Sequence, residues 1–350
     1  MRLIFITQQV DPGHPALAAT VPKIRALAER CEEVIVLADR VLPGVLPANC
    51  RSVSFASRAR PGRGLRFETA LGRELARGPR RTAVLAHMCP IYAVLAAPIA
   101  RPLGVPVLLW FTHWKATRTL RLAERLSSRV LTVDPRSFPL DSKKVEAIGH
   151  GIDLEEFAAA PPVRRDGDFR AVALGRYSQA KGLETVIRAV RFAGDGGLEL
   201  RLEVFGPALN AAERSHRSEL ERLVAELGLE KRVALRHAVL RSEVPEVLER
   251  ADVLVNNMEA GAPDKVVYEA AASARPVLAS NPVFDELFAG LPLPLAFARE
   301  DPRELAERLA ALAAMSPEGR DAIGRELRER VATGHSVGRW ADRILQAAQS

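Results

Sequence analysis

Arg176 and Lys181 stand five residues apart between two glycines, in the stretch Gly175-Arg176-Tyr177-Ser178-Gln179-Ala180-Lys181-Gly182. An apolar run, Ala171-Val172-Ala173-Leu174, precedes them and reads as a buried strand. Leu183-Glu184-Thr185-Val186-Ile187 follows, with apolar residues at helical spacing. A glycine at a strand's carboxyl end, then Arg, Lys and a helix N-terminus, gathers two fixed cations and free backbone donors in a small space. An anion fits there, and the anion expected is a diphosphate. A second stretch, Lys265 to Ser280, places Glu269 inside an otherwise apolar helix that runs into a buried strand. A carboxylate in that position suits a bidentate grip on a ribose diol. Together the two stretches describe half of a nucleotide-sugar site.

The elements that must hold these residues are those of a doubly wound α/β chain. Leu3–Ile6 and Val34–Leu37 read as short buried strands flanking a helix whose Val21, Ile24, Leu27 and Ala28 share one face. Ala83–His87, Val105–Thr112, Arg129–Val133 and Val145–Ile148 read as further strands. The loop Gln8 to Pro15 occupies the first crevice, where Gly13 would permit close backbone approach; for His14 a plain turn and a ligand contact both stay open. His113 follows a strand at its carboxyl end and points to the ligand crevice of such sheets. His87, ending the previous strand, fits a structural role better. From Ala171 the β-α pattern repeats, with strands Leu200–Phe205, Val233–Leu235, Val253–Val255 and Val277–Ala279, and a helix over Ala212–Leu227 with Leu220, Leu223, Val224 and Leu227 on one face.

Residues 58–81 carry Arg58, Arg60, Arg63, Arg66, Arg73, Arg77, Arg80 and Arg81 against Glu68 and Glu74 only. Phe67, Leu71 and Leu75 would form one apolar face, so part of this segment reads as a basic amphipathic helix. It is either a surface that meets an anionic membrane or a lipid-phosphate acceptor, or a solvated face over the N-terminal core.

The Gly-Arg to Lys-Gly stretch, the Glu269-Ala270-Ala271-Ala272 to Pro276-Val277 stretch and Ile148-Gly149-His150-Gly151-Ile152-Asp153 resemble the three motifs, in order and spacing, of the retaining GT-B glycosyltransferases of family 4 (glycosyl transferases group 1). The resemblance covers most of residues 145–285. It implies an α/β fold of two Rossmann-like doubly wound domains facing a central cleft. Residues 1–158 would form the acceptor domain, 159–168 a linker and 169–333 the nucleotide-sugar donor domain. A helix over 334–350 would cross back to the first domain, with Trp340 as its packing anchor.

The resemblance also implies roles. Arg176 and Lys181 would stabilise the leaving diphosphate of a UDP- or GDP-type sugar, with Gly13, Gly175 and Lys265 as further diphosphate contacts. His113 would line the donor-sugar pocket as a catalytic residue, and Glu269 would hold the ribose. The loop Gly261-Ala262-Pro263-Asp264 would meet the sugar, while His237, Val239 and Leu240 would approach the base. Front-face attack needs no protein nucleophile. Gly261 departs from the family, which has a glutamate there. Asp264 either replaces that acid at a sugar hydroxyl or caps a helix. Alternatives are a catalytically weak nucleotide-sugar-binding protein and a GT-B nucleotide-sugar epimerase.

Composition sets the outer bounds. The chain has 350 residues, 48% hydrophobic and 27% charged, with a net charge of +7. That is an ordinary globular composition, long enough for one large or two ordinary domains. Cys31, Cys50 and Cys89 show no metal spacing or disulfide framework. Arg176, Lys181 and a helix N-terminus would do the work that a divalent metal does elsewhere, so no metal or other cofactor is expected. The N-terminal apolar run is too short for a signal peptide, and no stretch approaches a spanning helix. The expectation is a cytoplasmic enzyme, peripheral at the inner face of the membrane if residues 58–81 bind lipid. Nucleic acid is not an expected partner, since aromatics are 5% and no recognition motif accompanies the charge.

Overall fold

The structure is a computed structural model describing residues 1–14, 17–161 and 167–350. Pro15 of the first crevice loop and residues 162–166 of the expected linker lie outside the described residues. The chain divides into two compact units: 1–153 with 334–350, and 154–333.

The first unit is built on seven parallel strands in the order β5-β3-β1-β6-β7-β8-β9. They are β1 (Arg2–Ile6), β3 (Glu33–Ala38), β5 (Cys50–Ser54), β6 (Thr82–His87), β7 (Val107–Trp110), β8 (Arg129–Thr132) and β9 (Val145–Ala147). A two-residue pair, β2 (Gln9–Val10) with β4 (Arg40–Val41), lies beside them. The central strands β1, β3 and β6 are apolar on both faces because helices cover both sides. β7 is shorter than the expected Val105–Thr112, since Pro106 has no N–H to give the ladder and the chain turns away after Trp110. β8 and β9 each stop one residue before the expected ends.

The helices of this unit are α1 (Thr20–Ala28), α2 (Arg60–Arg77), α3 (Pro90–Ala100), α4 (Arg118–Leu126) and α12 (Val337–Gln349). Helix α3 packs against both α2 and α4. Phe67, Leu71 and Leu75 of α2 are fully buried and join the sheet's core with Phe55 and Tyr92. The apolar face of this basic helix therefore faces the core, and Arg60, Arg66 and Arg73 are exposed. Glu74 is buried on the same helix and draws in Arg51 and Arg77, so Arg77 is a structural partner.

The Gly149-His150-Gly151 stretch seats the C-terminal helix. Gly149 and Gly151 have φ of 82° and 78°. A side chain at Gly149 would meet the Gly334 carbonyl at 2.2 Å, and one at Gly151 would meet Lys23 and Trp340. The amides of Gly151 and Ile152 donate to the His335 carbonyl at 3.0 and 2.7 Å. Trp340 is fully buried, edge-on to Trp110, and Lys23 lies 3.6 Å over the Trp110 ring. His87 stacks on Trp110 at 4.8 Å; burial first, and the nearby Lys23 second, push its pKa well below the usual histidine range. It is a neutral packing residue.

The second unit has five parallel strands in the order β12-β11-β10-β13-β14. They are β10 (Phe169–Leu174), β11 (Leu200–Phe205), β12 (Val233–Arg236), β13 (Val253–Asn256) and β14 (Val277–Ala279). Its helices are α5 (Leu183–Asp195), α6 (Ala211–Glu226), α7 (Val244–Glu249), α8 (Lys265–Ala272), α9 (Asp285–Phe288), α10 (Pro302–Ala314) and α11 (Pro317–His335). In both sheets the order reverses beside the first strand, β1 or β10, and ligands of open α/β sheets bind outside the strand ends at such a point.

Candidate active site

Close backbone approach shapes the carboxyl end of β10. Gly175 has φ 142° and lies against Gly206, where a side chain would meet the Gly175 carbonyl at 1.8 Å. The Lys181 chain folds over Gly175, its Nζ 2.7 Å from where a Cβ on that glycine would stand. Gly182, with φ 51°, is the N-cap of α5, and its carbonyl accepts from the Asn257 amide at 2.8 Å. The glycines thus let two strand ends, a lysine and a helix start share one spot.

Lys181 pairs with Asp264, whose carboxylate also accepts from Asn256 at 2.8 Å. Asp264 occupies the N-cap position of α8 but makes no cap hydrogen bond. The helix-capping alternative for Asp264 is therefore not realised: the side chain turns to the lysine. Burial raises its pKa, but Lys181, Asn256 and Lys265 together outweigh that and hold the carboxyl below the ordinary value.

Glu269 is buried on α8 and accepts from Lys265, one turn earlier, and from Arg241, each at 2.7 Å. Burial again raises the pKa, and the two cations overcome it and lower it. The buried carboxylate is therefore satisfied within the protein, and its burial alone does not demand a ligand. Arg241, which the sequence reading passed over, also pairs with Glu156 at 2.7 Å and lies over the Phe157 ring. A chain of charges runs Lys265, Glu269, Arg241, Glu156.

Arg176 is half exposed and pairs at 2.8 Å with Glu213, a buried residue of the first turn of α6. Glu213 is fixed by accepting from the Leu209 amide at 2.7 Å. Neither Glu213 nor Arg241 carried a local signal, because their partners lie far away in sequence. Arg241 directly follows the loop of His237, Val239 and Leu240, all of which lie at the surface beyond β12; His237 faces Arg217. The loop Gly261-Ala262-Pro263-Asp264 is tied to the first stretch, since the Glu259 amide donates to the Ala180 carbonyl at 3.0 Å. Gly261 has φ 128°.

The structure thus brings Gly175, Lys181, Asp264, Lys265 and Glu269 together, with Arg176 beside Gly175 in the chain. His113 and Gly13 belong to the first unit. The Gly13 amide donates to Asp11 at 2.8 Å, and its φ is not in the left-handed region. His113 is exposed, and its Nδ1 accepts from the Lys115 amide at 3.0 Å, which places the proton of the neutral ring on Nε2. It lines a cavity of about 560 Å³ in the first unit together with Arg60, Arg63 and Lys115. Arg58, Arg60, Arg66 and Arg73 are exposed, while Arg63 pairs with Asp39 at 3.2 Å. Among the described residues, no group of three or more His, Cys, Asp or Glu is placed to hold a metal, and no helix is long and apolar enough to cross a membrane.

Residues 168–315, within the second unit, match the family model of the glycosyl transferases group 1, the family the motifs resemble. The fold of the whole chain is GT-B. It is similar to a glycosyltransferase from Rickettsia africae (TM-score 0.80, 11% identity, 99% of this chain and 97% of that one). It is also similar to Anabaena HepE in complex with UDP and glucose (TM-score 0.76, 16% identity, all of both chains). A third likeness is to sucrose-phosphate synthase from Thermosynechococcus elongatus (TM-score 0.75, 16% identity, 99% of this chain and 98% of that one). At such identities these likenesses carry the fold alone. A comparison with curated protein sequences finds no match.

Proposed function

We propose that this chain is a retaining glycosyltransferase that moves a sugar from a UDP- or GDP-type donor to an acceptor without a metal. The observation that carries this reading is the cluster at the end of β10, where Lys181, Lys265 and the start of α8 converge beside Gly175 within a group 1 domain. Negative charge builds on the leaving diphosphate, and preorganised cations and backbone donors stabilise that charge most where it develops. Arg176 and Lys181 supply the charge, Lys265 and the α8 N-terminus add to it, and Glu269 holds the ribose. Neighbours of this fold in complex with UDP-glucose or bound with UDP-2-fluoro glucose support a UDP-type donor.

Donor binding then requires Lys181 to exchange Asp264 for phosphate. That pairing also favours a second reading, a protein that binds the donor but turns it over weakly. Hydrolysis of the donor sugar without acceptor separates the two: the transferase releases free sugar slowly but measurably, and the binder releases none. The first reading is tested by calorimetry of UDP, GDP and ADP and their sugars against the protein and Arg176→Ala, with and without EDTA. One nucleotide series must bind, the variant must lose most of that binding, and EDTA must leave turnover intact. A need for a divalent ion would refute metal independence.

The exposed Arg58, Arg60, Arg66 and Arg73 support a cytoplasmic enzyme resting on an anionic membrane by charge, since the apolar side of α2 is buried. Salt-sensitive pelleting with anionic vesicles tests it; no pelleting at low salt ends it.

A further inference from the structure

The 560 Å³ cavity of the first unit lies outside the carboxyl ends of β1, β6 and β7, beside the point where the strand order reverses. Its floor and walls are mostly apolar: Met88, Ile91, Leu95 and Phe111. Ile91 is 47% exposed although it is a large aliphatic residue. At its mouth stand Arg60, from the first turn of α2, and Lys115, from the loop after β7. Both are exposed, and neither has an ion-pair partner among the described residues. No carboxylate lines the cavity. Met88, at the junction of strand and cavity, has φ 59°, a conformation that costs a non-glycine residue energy and clusters at ligand sites.

An apolar trough with unpaired cations at one edge matches a ligand that is apolar along its length and anionic at one end. A polar sugar would leave Ile91 and Leu95 facing hydroxyls, and a purely apolar ligand would desolvate Arg60 and Lys115 without return. We propose that this cavity binds an amphiphile with an anionic head, the head on Arg60 and Lys115 and the tail over Ile91 and Leu95. That this ligand is the sugar acceptor rests on the glycosyltransferase reading; that it binds does not. His113, whose Nδ1 accepts from the Lys115 amide, also lines the cavity and leaves its Nε2–H as a donor for the head group or the hydroxyl next to it.

The probe is dihexanoyl phosphatidic acid, short-chained and monomeric, titrated into the full-length protein and followed by calorimetry. Inorganic phosphate supplies the head alone, and dihexanoyl phosphatidylcholine supplies the same tail without net charge. Phosphatidic acid is expected to bind at least about ten-fold more tightly than either, one favourable contact's worth at each end. Gly64 lines the cavity in α2, and a Cβ there would come no nearer than 4.0 Å, to Leu95. Gly64→Phe should fill the trough and Lys115→Glu should repel the head, each weakening binding about ten-fold or more. Unchanged melting curves and unchanged nucleotide binding by both variants show that the fold is intact. Phosphate binding as tightly as phosphatidic acid, or phosphatidylcholine doing so, overturns the proposal, as does full binding by a correctly folded Gly64→Phe variant. Vesicles of phosphatidylcholine containing phosphatidic acid distinguish the source: pelleting that Gly64→Phe reduces marks a membrane lipid, and monomer binding without pelleting marks a soluble amphiphile. If nucleotides bind and the amphiphile does not, only this inference falls. If the amphiphile binds and nucleotides do not, the cavity stands and the transferase reading falls.

Discussion

The Lys181 ammonium and the Asp264 carboxylate, distant in sequence, meet over Gly175 where the diphosphate is proposed to sit. Asp264 thereby competes with the ligand for its principal cation. Asp264→Asn keeps the Asn256 contact and releases Lys181. Its affinity for the nucleoside diphosphate should rise about ten-fold, roughly the 1.5 kcal/mol of one charge-assisted hydrogen bond. Calorimetry checks this, and weaker binding would mean that the carboxylate itself touches the ligand.

Arg241 holds Glu269 and Glu156 at once. Arg241→Met leaves Glu269 with Lys265 alone in a buried place. Breaking such a pair should cost about 3–5 kcal/mol of stability. Urea unfolding measures it. Glu269→Gln should recover part of the loss in the double variant, because the uncompensated charge is then gone.

Acid should destabilise the protein in two stages. His335 has its pKa lowered to about 4, first by burial, and His87 is lowered by burial too. A folded-state pKa below the unfolded one means that the native state binds fewer protons, so stability is present above about pH 6.5 and falls as pH drops below it. Asp264 and Glu269, also lowered, add a second loss below about pH 4.5. Urea midpoints against pH give the profile, and His335→Gln should flatten the upper stage.

Burial pushes the Cys50 thiol up to about 11 and Cys89 to about 12, and raises Cys31. Thiolate is the reactive form. The native protein should therefore resist iodoacetamide at pH 8, whereas the unfolded chain should label at three sites, as counted by mass.

Gly149→Ala would require a side chain at φ 82° and place its Cβ against the Gly334 carbonyl. Strain of this kind costs about 1–3 kcal/mol before the clash is counted. The melting temperature should fall, while Gly44→Ala, at a similar φ with open space around it, should lose less.

The buried strands were plain in the sequence, since Leu3–Ile6 or Val34–Leu37 must be apolar on both faces of a parallel sheet. Edge strand Cys50–Ser54 was not, because one face is wet and its polar residues hide the period. Helix α3 escaped notice for the opposite reason: its small apolar residues show no polar stripe, and Pro90 and Pro98 obscure its extent. The three motifs were visible as local residue patterns. What holds them was not: Arg241 reaches Glu269 and Glu213 reaches Arg176 only after the chain has folded, and no spacing rule links them.

The last helix belongs to the unit that begins the chain. During synthesis the second unit is a single unbroken segment, complete once residue 333 has emerged. The first unit waits for its final element until residues 334–350 have followed. Until then the socket around Gly149, Gly151 and Trp110 is open, and the apolar side of Trp340 is not there to close it. The later-encoded unit is thus free to fold first, and residues 334–350 complete the unit that residues 1–153 began.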